Sequence, residues 1–397
     1  MQRRPLLRLL GGGAMLAGAS GALTACSTAV PADAVAAWRP AATPPAGADV
    51  RLWLLSYAVL APHSHNLQSW LVDLREPDAI TLYCDRTRLL PETDPQARQI
   101  MMSQGTFVEL LDLAARQVGL RLWVTLFPHG EFDPAVPAGA AATPRATAHI
   151  RLVRDANVQA DPLFAAITQR HTNRRPYADR APPPQAVAAL QQAAQQALAA
   201  PALRTGVTAP GEAALQEHRR IAREAWRIEL TTPRTMLESL RVLRVGPEEI
   251  ARHRDGITVN DRLPRALAAL GLFNRSEAPG PDDMATRQQI DQFGAAMAAT
   301  PAFFWMVTQH NDRATQVQAG RAYVRAQLAA AAAGLSMQPL QQALQEYPEQ
   351  AVPYAQIHRL LGAEPGHQTV QMWARLGYGP VIEPAPRRGV PAHLMAA

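Results

Sequence analysis

Lysine is absent from this 397-residue sequence, so all 39 basic residues are arginine. This absence excludes pyridoxal-phosphate enzymes, other Schiff-base enzymes and P-loop nucleotide-binding proteins, because each class needs a lysine amine at the centre of its chemistry. Anion binding stays possible, since a guanidinium presents a rigid fork of donors to phosphate or carboxylate oxygens.

Several catalytic motifs are also missing from the sequence. It contains no Gly-x-Ser-x-Gly nucleophile elbow, no His-Glu-x-x-His helix and no Gly-x-Gly-x-x-Gly fingerprint. These absences disfavour the common secreted hydrolases and a built-in nicotinamide domain. The formal net charge of +6 is modest and the arginines are scattered, so we expect no nucleic-acid partner.

The amino terminus, residues 1–26, predicts an export signal. Arg3-Arg4 precedes an apolar stretch without acidic residues, which favours the twin-arginine route and leaves Sec export open. Leu23-Thr24-Ala25-Cys26 is typical of a bacterial lipobox, which predicts lipidation of Cys26; plain cleavage or a retained anchor are the alternatives. We therefore expect a lipoprotein on the periplasmic side of a bacterial membrane, with Cys84 as its only remaining thiol.

The rest of the chain divides into four segments by composition and pattern. Residues 27–49 are rich in alanine and proline, as expected of a tether. Residues 50–155 form a first half and 156–397 a second, with a loosely recurring order of helix, loop, strand, long helix and strand. Prolines interrupt residues 231–294, which predicts either a lid over a binding site or a peripheral helical insertion.

Apolar periodicity places the regular elements within these halves. The predicted helices span 51–61, 94–119, 184–199, 212–230, 262–272 and 313–334. The predicted strands span 68–75, 80–84, 120–127, 149–153, 302–308 and 369–378, and 131–147 reads as a loop.

Two short segments carry the clearest functional signal. Ala61–Trp70 places the amides of Asn66 and Gln68 beside an aromatic residue, and these groups suit the edge of a planar heteroaromatic ring. Arg170–Tyr177 gathers three guanidinium groups and a hydroxyl within six residues, which suits a phosphate. Together the two segments predict a flavin site.

Both segments resemble motifs of the nitroreductase-like FMN proteins, specifically the secreted, two-half branch often labelled Acg-like. Further matches are Arg98 to Gly119, Ala319–Ala322 with Gly334-Leu335, and Arg375–Gly379 followed by Pro386–Arg388, so the resemblance runs from about Val50 to Val390. The chain departs from the motif at His63 and Ser69. No cluster that could supply a third and fourth metal ligand lies near His63 and His65 in the sequence, so we predict no metal site.

The resemblance implies an α+β nitroreductase-like fold. Two tandem halves would form a pseudo-dimer with mixed, mostly antiparallel sheets flanked by helices, and one FMN would bind across the halves of a monomer. The expected phosphate ligands are Arg170, Arg174 and Arg388, with Thr172 and Arg387 nearby; the expected ring contacts are Asn66, Gln68 and the backbone amides of Gly334 and Leu335.

The activity implied is that of an exported FMN-binding oxidoreductase with ping-pong electron transfer to an electron-poor small molecule. No protein side chain need act as acid or base, because the flavin carries the chemistry. The electron donor could be a quinol, a protein or NAD(P)H. Two alternatives stay open: a flavin storage or sequestration protein without turnover, and a scaffold that binds no flavin.

Overall fold

The computed structural model describes residues 29–131, 133–134, 144–198, 202–271 and 273–396. The predicted export signal, the predicted lipidation site Cys26 and most of the predicted loop after residue 134 lie outside the described residues.

Ten α-helices and ten strands are formed within the described residues. The helices are α1 (Val50–Ala58), α2 (Arg98–Gln117), α3 (Pro184–Ala197), α4 (Ala214–Thr231), α5 (Pro233–Arg241), α6 (Gly246–His253), α7 (Arg262–Ala269), α8 (Met284–Ala298), α9 (Arg313–Ala332) and α10 (Ala351–Leu360). The strands are β1 (Trp70–Asp73), β2 (Ala79–Cys84), β3 (Leu120–Leu126), β4 (Ala146–Arg154), β5 (Leu203–Thr208), β6 (Leu243–Val245), β7 (Ile257–Val259), β8 (Ala302–Thr308), β9 (Ser336–Pro339) and β10 (Thr369–Gly377).

The strands build two antiparallel four-stranded sheets. The first sheet has the order β1-β2-β4-β3 and the second β5-β8-β10-β9, while β6 and β7 form a small parallel pair. Strand β10 is buried along its whole length because it lies inside the second sheet, with neighbours on both edges. The predicted α+β fold with mostly antiparallel sheets flanked by helices is confirmed.

Helices α2 and α9 form the centre of the molecule. Val324 and Leu328 of α9 pack into the core beneath the first sheet, while Met102 of α2 packs into the core of the second. The two helices approach closely at Gly105 and Gly320, where a side chain would meet the backbone of the opposite helix. The helix pair therefore joins the two hydrophobic cores.

The predicted helices and strands are all present, with ends shifted by a few residues. The predictions did not place four short strands, nor the helices α5, α6, α8 and α10. Two of these strands, β5 and β9, lie at sheet edges; β5 contains Gly206 and β9 ends at Pro339, two residue types that weaken a strand pattern. The other two, β6 and β7, have only three residues each. The predicted boundaries between the halves stay a prediction. In the described parts of the chain, no helix is long and apolar enough to cross a bilayer.

The segment predicted as a tether differs from that expectation from residue 29 onward. Residues Ala32–Trp38 form a 3-10 helix, with Ala34 and Trp38 buried. The Trp38 Nε1 donates a hydrogen bond of 2.8 Å to the Ala385 carbonyl, so the segment packs on the folded body. The alanine- and proline-rich composition predicted a flexible tether, because composition does not show that one buried indole can fix the segment to the body.

Glu229 on α4 makes the stability of the fold dependent on pH. It is buried and accepts a hydrogen bond of 2.7 Å from the Gln345 side chain. Burial raises the pKa of Glu229 to about 7, the Gln345 hydrogen bond opposes this rise, and the charge of Glu238 adds to it. The folded protein thus favours the protonated carboxyl.

We expect the contribution of Glu229 to the free energy of unfolding to fall as the pH rises from 5 to 8, because the folded state binds more protons at Glu229 than the unfolded state does in this range. Glu229→Gln mimics the protonated form at every pH, so its free energy of unfolding relative to the wild type should increase by up to about 3 kcal/mol between pH 5 and pH 8. Urea denaturation of both proteins at both pH values measures this difference. Glu217→Gln, at a largely solvated site on the same helix, should show a difference from the wild type that does not grow with pH; the same result for Glu229→Gln would refute the assignment.

Candidate functional site

The loop between α1 and β1, residues 61–69, is called the site loop below. Helix α2 anchors it at both ends. Thr106 Oγ1 donates a hydrogen bond of 2.8 Å to the Pro62 carbonyl, and Gln104 Nε2 donates one of 2.9 Å to the Ser69 carbonyl. The site loop is therefore fixed to the central helix pair.

Three residues of the site loop have positive φ angles. His65, Asn66 and Gln68 have φ values of 47°, 56° and 54°. This left-handed region is unfavourable for residues other than glycine, and it is tolerated best by asparagine. A strained backbone of this kind persists only where surrounding contacts hold it.

The side-chain amides of Asn66 and Gln68 supply those contacts. Asn66 Nδ2 donates to the Pro386 carbonyl at 3.1 Å. Gln68 is fully buried; its Oε1 accepts from the Arg388 backbone at 2.9 Å, and its Nε2 donates to the Arg254 carbonyl at 2.8 Å. Both amides therefore join the site loop to other segments of the chain, where the sequence had predicted a free edge for a flavin ring. Their contact with a flavin stays a prediction.

Two buried arginines from distant parts of the sequence lie side by side behind the site loop. Arg170 donates to Gln327 Oε1 and to the Leu60 carbonyl, each at 3.1 Å. Arg387 donates to the Ala61 carbonyl at 3.1 Å and to the Asn66 Oδ1. Among the described residues no carboxylate contacts either guanidinium, and the Nε of each has no hydrogen-bond partner. We call Arg170 and Arg387 the arginine pair.

The arginine pair is electrostatically unfavourable without an anion. Burial lowers the pKa of Arg170 to about 10 and that of Arg387 to about 9, and the charge of Arg170 adds to the effect on Arg387. Both side chains therefore stay charged at pH 7. A buried charge without a counterion is costly, so an anion reaching the pair would be strongly favoured.

The other predicted phosphate ligands flank this pair. Arg388 donates to the Gln68 carbonyl through its guanidinium, and burial lowers its pKa to about 10. Thr172 lies in the loop after Arg170 and forms an isolated parallel bridge with Met337 at the start of β9.

Arg174 is exposed to solvent, unlike the arginine pair. Desolvation by the surrounding protein lowers its pKa. It lies close enough to His65 for its charge to add to the effect of burial, which lowers the pKa of that imidazole to about 4. Arg174 thus lines an accessible part of the site, beside a neutral histidine.

The Gly334-Leu335 segment differs from the expected ring contact. Gly334 has a φ of 68° and ends α9 in a Schellman motif. Its amide donates to the Ala331 carbonyl at 3.0 Å, and the Leu335 amide donates to Ala330 at 2.8 Å, while the Leu335 side chain is buried in the second core. The helix cap uses both amides that were expected to face a flavin.

The two departures from the family motif contact each other. His63 Nδ1 donates to the Ser64 carbonyl at 2.8 Å, which leaves Nε2 to accept from the Ser69 backbone at 3.0 Å and to contact its hydroxyl at 2.7 Å. Burial lowers the pKa of His63 to about 3, so the ring is neutral. The pair stabilises the turn before Trp70. In the described residues, no group of three or more His, Cys, Asp or Glu side chains could hold a metal.

The predicted lid or insertion, residues 231–294, packs against the site loop. The Gly256 amide donates to the Asn66 carbonyl at 3.1 Å. Asp255 forms an ion pair of 2.5 Å with Arg88, which follows β2. The segment therefore covers one side of the site loop; its opening and closing stay a prediction.

Sequence reasoning missed three residues that contact or surround the arginine pair. Gln327 and Tyr323 lie on α9, and Gln327 Nε2 and the Tyr323 hydroxyl are buried without a hydrogen-bond partner in the described part of the chain. Trp38 lies over both guanidinium groups. Buried polar residues in an alanine-rich helix, and a single tryptophan in an alanine- and proline-rich segment, are the signals that could have identified them.

Comparison with known proteins finds similarity to nitroreductases. No protein-family model matches the chain. Two curated relatives, provisionally named NAD(P)H nitroreductases from Mycobacterium tuberculosis strains CDC 1551 and H37Rv, are 28% identical over 345 residues, which cover 84% of this chain and 88% of theirs. This similarity supports the nitroreductase-like resemblance and the predicted oxidoreductase class.

Solved structures of nitroreductases also match the chain, and the three described here have TM-scores below 0.5. One from Anabaena variabilis, provisionally named, has 12% identity and a TM-score of 0.44 and covers 88% of this chain and 91% of its own. Another provisionally named one, from Desulfovibrio desulfuricans in complex with FMN, has 14% identity and a TM-score of 0.34 and covers 60% of this chain and 97% of its own. NfnB from Mycobacterium smegmatis, an FMN-dependent nitroreductase in complex with NADPH, has 17% identity and a TM-score of 0.35, and covers 54% of this chain and 86% of its own.

Proposed function

We propose that the protein is an FMN-dependent oxidoreductase of the nitroreductase-like type. The observation that carries this proposal is the arginine pair. Within the residues that the structure describes, these two buried guanidinium groups have no carboxylate partner and each has an unpartnered Nε, so they offer the donors and the charge that a phosphate monoester needs. The relatives' name, NAD(P)H nitroreductase, supports the same class.

The residues present fit the phosphate end of FMN. Arg170 and Arg387 would hold its phosphate, with Arg388, Arg174 and Thr172 around them. Asn66 and Gln68 would act mainly by holding the site loop in its strained conformation. FMN, when bound, supplies the transfer of electrons or hydride between a donor and an acceptor.

The proposed reaction is ping-pong transfer from a donor to an electron-poor acceptor. The relatives' name favours NAD(P)H as donor, while the predicted export to the periplasm favours a quinol or a protein. Neutral, half-buried His65 and exposed Arg174 are among the side chains near the site that an incoming molecule could reach. We further propose that the mature protein is a monomer anchored through Cys26.

The visible absorption spectrum of the purified protein, produced with ample riboflavin, tests the proposal. We expect two flavin bands and heat-released FMN in near one-to-one ratio with the chain, because one arginine pair binds one phosphate. Reduction by NAD(P)H or dithionite, followed by reoxidation with a nitroaromatic or a quinone, should then be observed.

Each contrary result has a distinct meaning. A colourless protein that takes up no added FMN would refute flavin binding. Bound FMN that resists both reduction and reoxidation would support storage of the flavin and refute the oxidoreductase.

A further inference from the structure

Residues 30–41, which we call the N-terminal strap, run across the side of the arginine pair. The strap is attached to three parts of the body. The Arg387 amide donates to the Ala34 carbonyl at 2.9 Å. The Trp53 Nε1 on α1 donates to the Ala41 carbonyl at 2.7 Å. A salt bridge of 2.8 Å joins Asp33 of the strap to Arg254.

Trp38 is the residue of the strap that faces the arginine pair. The guanidinium carbons of Arg170 and Arg387 lie 5.6 and 5.3 Å from the centre of its ring, and the ring of His171 lies 4.9 Å from it. Only 7% of Trp38 is exposed. An aromatic face attracts cations without carrying a charge of its own.

Two cations covered by an uncharged aromatic ring suit an anion site, because the ring holds the cations without neutralising them. A carboxylate at the position of Trp38 would neutralise the two arginines and remove their attraction for a phosphate. An aliphatic side chain would fill the space but would neither attract nor orient the guanidinium planes. Trp38 also extends the apolar core of the first sheet, so its ring separates the arginine pair from bulk water.

We propose that Trp38 is a positioning residue of the anion site: it holds Arg170 and Arg387 side by side and shields them from water, so that the strap slows the release of a phosphate-bearing ligand. The inference deepens the proposed FMN function and rests on it. The unpartnered Nε atoms of the pair are closed to solvent. A ligand can therefore reach them only after a local movement, and the strap, which places Trp38 over both guanidinium groups, is an element that covers them.

The test compares Trp38→Leu with Trp38→Phe in the full-length protein loaded with FMN. Release of FMN is followed by the recovery of flavin fluorescence after dilution. We expect Trp38→Leu to release FMN about tenfold faster and Trp38→Phe to stay within about twofold of the wild type, since phenylalanine keeps an aromatic face. Trp123→Leu is the matched control, because Trp123 on β3 is 61% exposed, and it should leave the rate unchanged.

A second measurement separates the anion site from the flavin. Inorganic phosphate should raise the melting temperature of the FMN-free protein relative to chloride at equal ionic strength, and Trp38→Leu should reduce this shift by more than half while Trp38→Phe preserves it. Equal effects of Trp38→Leu and Trp38→Phe on release, or a full phosphate shift in Trp38→Leu, would overturn the role of Trp38. A phosphate shift that depends on Trp38 in a protein that never binds FMN would refute the flavin function and sustain the anion site.

Discussion

Arg387→Met is expected to weaken FMN binding by about a hundredfold, which is among the largest effects of a single substitution at the proposed site. A hydrogen bond to a charged group contributes about 1.5–3 kcal/mol, or about 10- to 150-fold in Kd. Methionine keeps much of the volume and removes the charge. Titration of the FMN-free protein, followed by flavin fluorescence, measures the change in Kd.

Arg204 provides the control for this substitution. Arg204 on β5 also donates to backbone carbonyls, those of Leu361 and Gly362, but at the opposite edge of the second sheet from β9. Arg204→Met should leave the Kd for FMN unchanged. An equal loss of affinity in both variants would show that the effect is not specific to the arginine pair.

Stability gives an independent readout of the missing counterion. Arg325 is a buried arginine that pairs with Glu109 at 2.8 Å and with Asp161 at 2.7 Å. Arg325→Met should cost about 3 kcal/mol or more, because it removes the ion-pair partner of Asp161 and one of the two arginines that pair with the buried Glu109, the other being Arg321. Arg387→Met leaves no carboxylate unpaired, so the FMN-free variant should lose far less. Similar losses would contradict an uncompensated charge at Arg387.

The absence of lysine has a physical reason at this site. Burial lowers the pKa of Arg387 to about 9. A lysine starts from a pKa of about 10.4 and would fall to about 7 after a similar shift, so it would be partly neutral at pH 7. Arginine keeps its charge in such surroundings, which makes it the suitable cation for a buried phosphate site.

Local sequence pattern predicted much of the framework, but not the contacts that complete the site. Helices α2 and α9 were predictable because their apolar periodicity is long, and the motif residues Arg170 and Arg387 were both identified. The partners of Gln68 were not predictable, since they lie at Arg254 and Arg388, far away in the sequence. Such partners depend on how the segments pack, which local pattern does not encode.

Gly334-Leu335 also shows that a local motif does not determine the contacts that a segment makes. The motif predicted amides that face a ring, but a glycine after an alanine-rich helix also satisfies the rules for a Schellman cap, and the structure forms that cap.

His63 and Ser69 are the two positions that depart from the family motif. Taken alone, each looks like a defect in the motif, but the hydrogen bond between their side chains shows that the two departures fit each other.

Gly320→Ala is expected to destabilise the protein by about 3 kcal/mol or more, although alanine favours a helix over glycine by about 1 kcal/mol. A Cβ at Gly320 would lie 1.9 Å from the Met102 carbonyl oxygen of α2. Backbone cannot rotate away as a side chain can, so α2 and α9 would have to separate. Because this helix pair joins both cores, we expect a lower midpoint in urea and a loss of soluble protein.

Gly294→Ala on α8 is the matched control for this prediction. The Cβ there would meet the Arg223 side chain at 3.2 Å, and this flexible arginine can move aside. Helix propensity should then dominate, so Gly294→Ala should be neutral or stabilising by up to about 1 kcal/mol. Equal stability of Gly320→Ala and Gly294→Ala would show that α2 and α9 do not approach as closely as the geometry requires, and that the two cores are not joined through these glycines.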